Sequence, residues 1–515
     1  MLKKLCTAAL AAVLAAATLA GCAAPVQAPE ATAAQTAAPA TPVPEPTEEP
    51  AKTPKYVFVF IGDGMSHVQV SAAQVFRGDN LSGEVTPKLL NFTQFPVAGV
   101  ATTYDSTSFC PDSASTATAI SSGVKTHSGV IGLNVDKTTK PVSITELLKA
   151  KGMKIGVVSS VTINHATPAA FYAHIASRND YYDISLQLAQ SNFDYFGGGT
   201  ASQPTGPDSD KEDIYKVIEQ NGYQIADTKE EILALNNTSG KVYAVTPVTQ
   251  DSGALPYAMD AKSGELVLAD YVKKGIDVLN NENGFFLMAE SGKVDWACHA
   301  NDAMAAIADV YAFEDAIQVA IDFAAEHPDE TLIIVTGDHE TGGMTIGYAA
   351  TGYNTAFDII SRQKMSYVAF DSLVGSMKKE NPKLTFADVY PAIKENFGLI
   401  APDDADAAVE ANKSFVLTEY EYEKLINGFK QSMLPAEERT KNQETDILYN
   451  TYDPLSVTLT HIINNKAGIG WTSYAHTGTP VPVYAMGVGA ELFNGSYDNT
   501  DIFKKLVEIT GVKAA

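Results

Sequence analysis

The heptapeptide Thr331-Leu332-Ile333-Ile334-Val335-Thr336-Gly337 runs directly into Asp338-His339, and no other feature narrows the possible folds as far. A run this apolar predicts a strand covered on both faces, the habit of parallel sheets packed between helices. Its end is the unusual part. A carboxylate and an imidazole arriving together at the tip of a buried strand are costly to desolvate unless a cation sits between them. Three other segments offer groups of the same kind: Gly62-Asp63-Gly64 after the apolar run Tyr56 to Ile61, the pair Asp295 and His299, and His476. Asp295 and His299 have i,i+4 spacing, so on a helix both side chains leave one face toward a single ion. Each pattern alone arises often by chance. Their conjunction points to a metal centre.

Short apolar runs recur at Val97 to Thr103, Lys154 to Val161, Gly284 to Ala289 and Val481 to Val488. Between them, Ser143 to Lys151, Pro168 to Ser177, Glu265 to Leu279 and Ala303 to Ala325 carry apolar residues at helical spacing. This alternation predicts an α/β fold with a largely parallel central sheet covered by helices on both faces. Ligands of such sheets gather at the carboxyl ends of strands, where Asp63, Glu290, Asp338 and His339 all fall. From Gly352 to about Thr460 the rhythm breaks. Helix-like pieces, including Phe386 to Asn396 and Glu419 to Phe429, sit among charged and Tyr-rich intervals. Residues 352–460 therefore read as an inserted, mostly helical cap, and Val481 to Val488 with Asp501 to Ile509 as a closing strand and helix. No internal repeat is visible.

The N-terminus reads as an export signal: Lys3 and Lys4, an apolar stretch from Leu5 to Leu19, then Leu19-Ala20-Gly21-Cys22. The stretch is short for a membrane-spanning helix and ends in small residues before a cysteine. Residues 1–21 resemble a bacterial lipoprotein signal, with Cys22 as the acylated first residue of the mature chain. An ordinary cleaved signal peptide is the alternative. Both readings imply export; the first adds a lipid anchor in the membrane, at the cell surface or in the periplasm. Residues 22–54, rich in Ala, Pro, Thr and Glu, lack the large apolar side chains a core needs and are expected to be a disordered tether. The catalytic domain is expected over residues 55–515.

Acidic residues outnumber basic ones by 61 to 36, a formal net charge of −25, which argues against nucleic acid or anionic lipid bound through a basic surface. A small anionic substrate stays admissible because bound divalent cations reverse the field locally. Of four cysteines only Cys110 and Cys298 lie in the expected folded part, so no dense disulfide framework supports it. They are either bonded to each other or two separate buried thiols, and sequence leaves both open.

For a nucleophile the chain offers Pro111-Asp112-Ser113-Ala114-Ser115-Thr116-Ala117. Pro111 and Asp112 ahead of small residues resemble a helix start, where free backbone N–H groups and the helix dipole favour an incoming anion. In isolation, a serine there would be a capping residue without chemistry. Beside a metal it could lose its proton near neutral pH without a histidine partner and attack phosphorus.

Taken together, Gly62-Asp63-Gly64-Met65, Asp112-Ser113-Ala114, His165-Ala166-Thr167-Pro168, Arg178, Glu290, Asp295 with His299, Thr336-Gly337-Asp338-His339 and His476-Thr477-Gly478 resemble alkaline phosphatase in this order. The likeness runs from about Lys55 to the C-terminus, the cap excepted. It implies one zinc ion held by Asp295, His299 and His476, and a second held by Asp63, Asp338 and His339. It also implies that Ser113 becomes phosphoserine and that Arg178 grips two phosphoryl oxygens through its planar fork. A third ion is implied at Asp63, Thr167 and Glu290, where oxygen ligands suit magnesium. The chain has His165 where the best-known bacterial pattern has aspartate, and Trp296 where it has lysine. The imidazole of His165 softens the third site, so zinc or cobalt would also suit it.

The implied activity is hydrolysis of small phosphate monoesters outside the cell. Homodimers are usual among similar enzymes. Relatives sharing the metal scaffold include phosphodiesterases, which typically use threonine and lack an arginine clamp. They also include sulfatases, whose Cys-x-Pro-x-Arg motif Cys110-Pro111-Asp112-Ser113 does not fit. A phosphodiesterase is one alternative; a phosphate- or metal-binding lipoprotein without turnover is another, from a different class. His67, His127, His174, His327 and His461 are expected to be structural or surface histidines.

Overall fold

Ten strands make the central sheet: β1 (Tyr56–Gly62), β2 (Val97–Thr102), β3 (Lys154–Ser159), β4 (Tyr195–Gly198), β5 (Tyr223–Ala226), β6 (Lys241–Val245), β7 (Phe285–Ser291), β8 (Thr331–Gly337), β9 (Val481–Gly487) and β10 (Gly495–Asp498). Their spatial order is β10-β2-β9-β8-β1-β7-β3-β4-β6-β5. Every pairing is parallel except those of β9, which runs antiparallel to both β8 and β2. The computed structural model describes residues 52–78 and 85–513. The expected export signal, Cys22 and nearly all of the expected tether lie outside the described residues.

Alternation along the strands divides the apolar side chains between two cores. Tyr56, Phe58 and Phe60 of β1 face one, and Val57, Val59 and Ile61 face the other. Phe285, Leu287 and Ala289 of β7 join the first set, and Phe286 and Met288 the second. Helices Leu268–Leu279 and Ala303–Glu326 cover the first face, while Ser113–Ser122, Ile144–Ala150 and Thr500–Thr510 cover the second. Each fully buried Phe, Ile, Leu, Val or Met side chain contributes roughly 1.5–3 kcal/mol to this sandwich. The near-continuous apolar strands thus follow from burial on both sides.

Two segments differ from their expected form. The interval Pro168 to Ser177 is not a helix: only Ala166–Ala169 makes a helical turn. Ile175 then exchanges both backbone hydrogen bonds with Ile131, at 2.8 and 3.0 Å, and Tyr172 Oη donates to Ile163 O at 2.7 Å. Pairing with distant backbone overrides the helix preference of the alanines, and the extended arm so formed ends at Arg178, whose N–H donates to Gly129 O at 2.8 Å. Of the two readings left open for the cysteines, separate thiols hold, with only one of them buried. Both are free thiols, Cys298 buried and Cys110 exposed.

Between β8 and β9 the chain is mainly helical, with Tyr367–Glu380, Phe386–Phe397, Glu419–Met433, Gln443–Leu448 and Pro454–Ala467, and it adds no strand to the central sheet. Asp302, which caps the helix Ala303–Glu326, also roots this insertion. Its carboxylate accepts from Gln363 Nε2 at 2.8 and 2.9 Å and from the Tyr367 N–H at 3.0 Å.

Candidate metal centre

Strand register brings the first acids together. Ile61 of β1 stands opposite Glu290 of β7 and Thr336 of β8, and Gly62 opposite Ser291 and Gly337. Neighbouring strands lie about 4.8 Å apart, so Asp63, Glu290 and Asp338 leave three adjacent strand ends within reach of one another. All three are buried, as is His339. Gly64 then turns the chain with φ 69°, and a Cβ there would lie 2.9 Å from Asp295 Oδ1 and 2.8 Å from Thr341 Oγ1. That position is reserved for glycine because the helix Lys293–His299 passes so close. The helix presents Asp295 and His299 one turn apart on the same side. His476 arrives on the short strand His476–Thr477, paired antiparallel with Glu340–Thr341 in the register His476 to Thr341. Its ring stacks on His339 with centroids 3.6 Å apart.

The result is three groups of side chains that could hold a metal ion, each with candidate ligand atoms within 4.8 Å of one another: Asp295, His299 and His476; Asp63, Asp338 and His339; and Asp63, His165 and Glu290. In the first, His299 Nε2 lies 3.1 Å from His476 Nε2 and 3.4 Å from Asp295 Oδ2. In the second, His339 Nε2 lies 3.2 Å from Asp63 Oδ1 and 3.4 Å from Asp338 Oδ2. Thr167 Oγ1 donates to Asp63 Oδ2 at 3.4 Å beside the third. Three buried atoms of that third group, Asp63 Oδ1, His165 Nδ1 and Glu290 Oε1, have no hydrogen-bond partner. An unsatisfied buried polar atom costs about 1–3 kcal/mol. Cations at the second and third groups, which share Asp63, would accept these electron pairs and remove the penalty, so these residues fit bound metal.

Electrostatics agree. Burial, reinforced by neighbouring carboxylates, holds Asp63 well above the usual carboxylate range and pushes Asp338 up to about 7. Burial likewise raises Glu290 to about 8. Burial pulls His165 down to about 3, and burial with His476 alongside holds His339 well below the usual imidazole range. Neutral imidazoles offer lone pairs. Asp295 is the exception: burial opposes its ionisation, but His299, His476 and His339 outweigh that and hold it well below the usual range. His299 is correspondingly raised, since Asp295 outweighs the cost of burying it.

A ring of hydroxyls and carbonyls orients these candidate ligands, an arrangement common around metal sites. Thr341 Oγ1 donates to Asp295 Oδ1, Thr116 Oγ1 to Asp338 Oδ2 at 3.1 Å, and Ser159 Oγ to Glu290 Oε2. His476 Nδ1 lies 2.6 Å from Pro111 O, and His299 Nδ1 lies 2.5 Å from Tyr474 O. None of these orienting roles was read from sequence. Thr116 stands one helical turn beyond Ser113, and Ser159 ends an apolar strand, so both carried a positional signal.

Ser113 opens the helix Ser113–Ser122, which Asp112 caps by accepting from Ser115 N at 3.0 Å. Its Oγ lies 3.1 Å from His339 Nε2, at the edge of the second group. Arg178 Nη1 donates to the other oxygen of Asp112 at 2.9 Å, and its Nη2 lies 3.3 Å from His165 Nε2. Asp112 thus fixes both the serine's helix and the guanidinium. Ser113, Arg178, His165, Asp295, His299 and His476 line one cavity of about 370 Å³. Among the remaining histidines, His174 pairs with Glu146 at 3.1 Å, His461 with Asn301 at 2.9 Å and His127 with Ser106 at 3.0 Å, while His327 packs on Tyr56 and Phe323.

A model of the family described as alkaline phosphatase matches residues 54–512. The chain belongs to the alkaline phosphatase family. It is 31% identical over 463 residues to alkaline phosphatase 3 of Bacillus subtilis, covering 88% of each chain. Among solved structures it is similar to the cold-active alkaline phosphatase of a Shewanella species, with a TM-score of 0.72 and 28% identity over 88% of this chain and 99% of that one. It is also similar to a His-to-Asp variant of alkaline phosphatase from the Antarctic bacterium TAB5, described with Mg bound in its M3 site, with a TM-score of 0.60 and 26% identity over 90% of this chain and all of that one. Alkaline phosphatases hydrolyse phosphate monoesters with the help of metal ions, and this family member is a hydrolase of that type.

Proposed function

We propose that the chain hydrolyses phosphate monoesters through a phosphoserine formed at Ser113. In this reading Asp295, His299 and His476 hold one zinc ion, Asp63, Asp338 and His339 hold a second, and Asp63, Thr167, Glu290 and His165 hold magnesium. The single observation that carries it is the place of Ser113 Oγ, at a helix start, 3.1 Å from His339 Nε2 and in the same cavity as Arg178. Mixed imidazole and carboxylate sets suit zinc, and the more oxygen-rich third set suits magnesium. The magnesium described in the M3 site belongs to a TAB5 variant with aspartate in place of a histidine, whereas the third group here keeps the imidazole of His165, which would also suit zinc or cobalt.

Divalent cations bound there would supply Lewis acidity, easing ionisation of the serine hydroxyl and offsetting charge on the leaving oxygen. The chain's own residues do the rest. Ser113 Oγ attacks phosphorus, the alcohol departs, and water then displaces Ser113 to release inorganic phosphate. The guanidinium of Arg178, steadied by Asp112, binds the phosphoryl oxygens, and free N–H groups of the helix start add to the positive field. In this reading the lone pair of His339 Nε2 would be given to a cation, and burial holds the imidazole well below its usual range, so His339 would be a poor acceptor for the serine proton.

Purified protein should hydrolyse p-nitrophenyl phosphate faster toward alkaline pH, lose activity to a chelator and regain it with zinc plus magnesium. Ser113→Ala should retain metal and lose phosphoserine and most turnover; normal turnover in that variant overturns the route. Faster hydrolysis of bis(p-nitrophenyl) phosphate than of the monoester would point to a diesterase instead. The proposal extends to location: the signal-like residues 1–21 support export with lipid on Cys22, and residues 22–54 then form a dispensable tether. Palmitate labelling that survives Cys22→Ala would refute the anchor.

A further inference from the structure

The cavity that holds Ser113 and Arg178 has a second wall made of Asp251, Ser252, Trp296, Tyr367 and Tyr452. Two of these come from the insertion between β8 and β9. Tyr367 opens the helix Tyr367–Glu380, and Tyr452 precedes Pro454–Ala467. Their rings meet edge to face at 5.8 Å, and Tyr367 Oη is tied to the buried Tyr257 Oη at 3.2 Å. Tyr452 is backed by Tyr474 at 6.1 Å. The aromatic wall is therefore held from behind.

Asp251 is displayed in an unusual way. It and Ser252 are consecutive non-glycine residues with φ 57° and 64°, a left-handed conformation that costs energy and is found disproportionately at functional sites. Lys293, fully buried, places Nζ 3.7 Å from Asp251 Oδ2 and over the rings of Tyr257 and Trp296 at 3.6 and 4.9 Å. Asp309 and Asp260 also act on that ammonium, so Lys293 is not held by Asp251 alone. The Asp251 side chain stays 25% exposed on the cavity side. One cavity therefore offers two kinds of contact: the Arg178 guanidinium and the helix start at Ser113 for the phosphoryl group, and a carboxylate with aromatic faces for what is attached to it.

Resting on the phosphomonoesterase reading above, we propose that this wall is a leaving-group subsite selecting phosphate monoesters whose alcohol carries an alkylammonium group. Aromatic faces beside a carboxylate attract such cations, and quaternary ammonium ions are recognised by this chemistry. Zwitterionic esters match both kinds of contact. Sugar phosphates with a second anionic group would meet Asp251 unfavourably.

The test compares phosphocholine with its neutral isostere, 3,3-dimethylbutyl phosphate, by the ratio of their kcat/KM values in each protein. Comparing ratios between variants cancels the intrinsic reactivity of the two alcohols. Asp251→Asn keeps the shape and tolerates positive φ, and the ratio should fall about tenfold. Tyr452→Leu should lower it about threefold, and decides the matter if Asp251→Asn fails to fold. A ratio within twofold of wild type in the folded variant overturns the subsite, as does wild-type protein that cleaves p-nitrophenyl phosphate but not phosphocholine. Failure of wild type on p-nitrophenyl phosphate itself would instead overturn the phosphomonoesterase reading.

Discussion

Replacing Thr341 by valine removes a hydroxyl that touches both candidate zinc positions, the first more closely. The Thr341 hydroxyl, fully buried, donates to Asp295 Oδ1 and lies 3.3 Å from His339 Nδ1. Valine fills the same volume and favours the same extended backbone opposite His476, so neither a cavity nor lost pairing enters the comparison. A buried hydrogen bond to a charged group is worth about 1.5–3 kcal/mol, and about 1.4 kcal/mol is tenfold in affinity. The cation-free protein loses part of the same bond, so the lower end applies. Zinc affinity should fall about tenfold, within the range seen for second neighbours of metals. Apparent zinc constants come from competition with a chelator of known affinity. Thr341→Ser retains the hydroxyl and should stay near wild type. Valine binding zinc within threefold of wild type would refute the reasoning, and serine as weak as valine would show that packing, not hydrogen bonding, is responsible.

Gly64→Ala should leave a folded protein with depleted zinc and little activity, because the added methyl would press on Asp295 at φ 69°; full zinc content by elemental analysis would contradict this. Metal uptake by cation-free protein should release protons near pH 7, since Asp338 at about 7 and Glu290 at about 8 must ionise to bind; affinity should therefore rise with pH through that window, and calorimetry in buffers of differing ionisation enthalpy would expose the absence of proton release. The sign for stability is opposite. These carboxyls hold protons in the folded state that the unfolded chain has released, so their stabilising contribution is present below the ordinary carboxyl range and is lost as pH rises through about 7 and 8. Urea unfolding of cation-free protein should show this decline between pH 5 and 8 on the order of one or more kcal/mol, and added metal should reverse it. Phe58→Ala, in a cluster with Phe60, Phe285 and Phe323 at 6.3, 5.3 and 5.8 Å, should cost about 3–5 kcal/mol. A loss below about 1.5 kcal/mol would mean that the cluster relaxes around the gap.

Strands buried on both faces announced themselves because nothing polar interrupts them, which is why β1, β7 and β8 and the acids at their tips were legible in sequence. The outer strands β4 and β5 were not. Tyr195–Gly198 and Tyr223–Ala226 are four residues each, two of the first being glycines, and only their neighbours in the sheet make them strands. Pro168 to Ser177 misled for the converse reason: alanines suggest a helix, but Ile131 captures the backbone of Ile175. Imidazole and carboxylate pairs arise often by chance, and candidate ligand residues could be named only because several such pairs occur together in the order of the family pattern. Hydroxyls are common, so Thr341, Thr116 and Ser159 gained meaning only once folding set them against a carboxylate. The cavity wall with Asp251, Tyr367 and Tyr452 was invisible for a similar reason, since these residues are far apart in the chain and ordinary in type.

Asp63 belongs to two of the three ligand groups, with Oδ1 toward His339 and Oδ2 toward Thr167. Its backbone is pinned as well, its N–H donating to Ser291 O at 3.2 Å just past the paired ends of β1 and β7. A carboxylate shared in this way turns one oxygen toward each neighbour. Whatever occupies one side polarises the oxygen pair that the other side depends on, so a shortage of either ion in the surroundings would be felt at both positions.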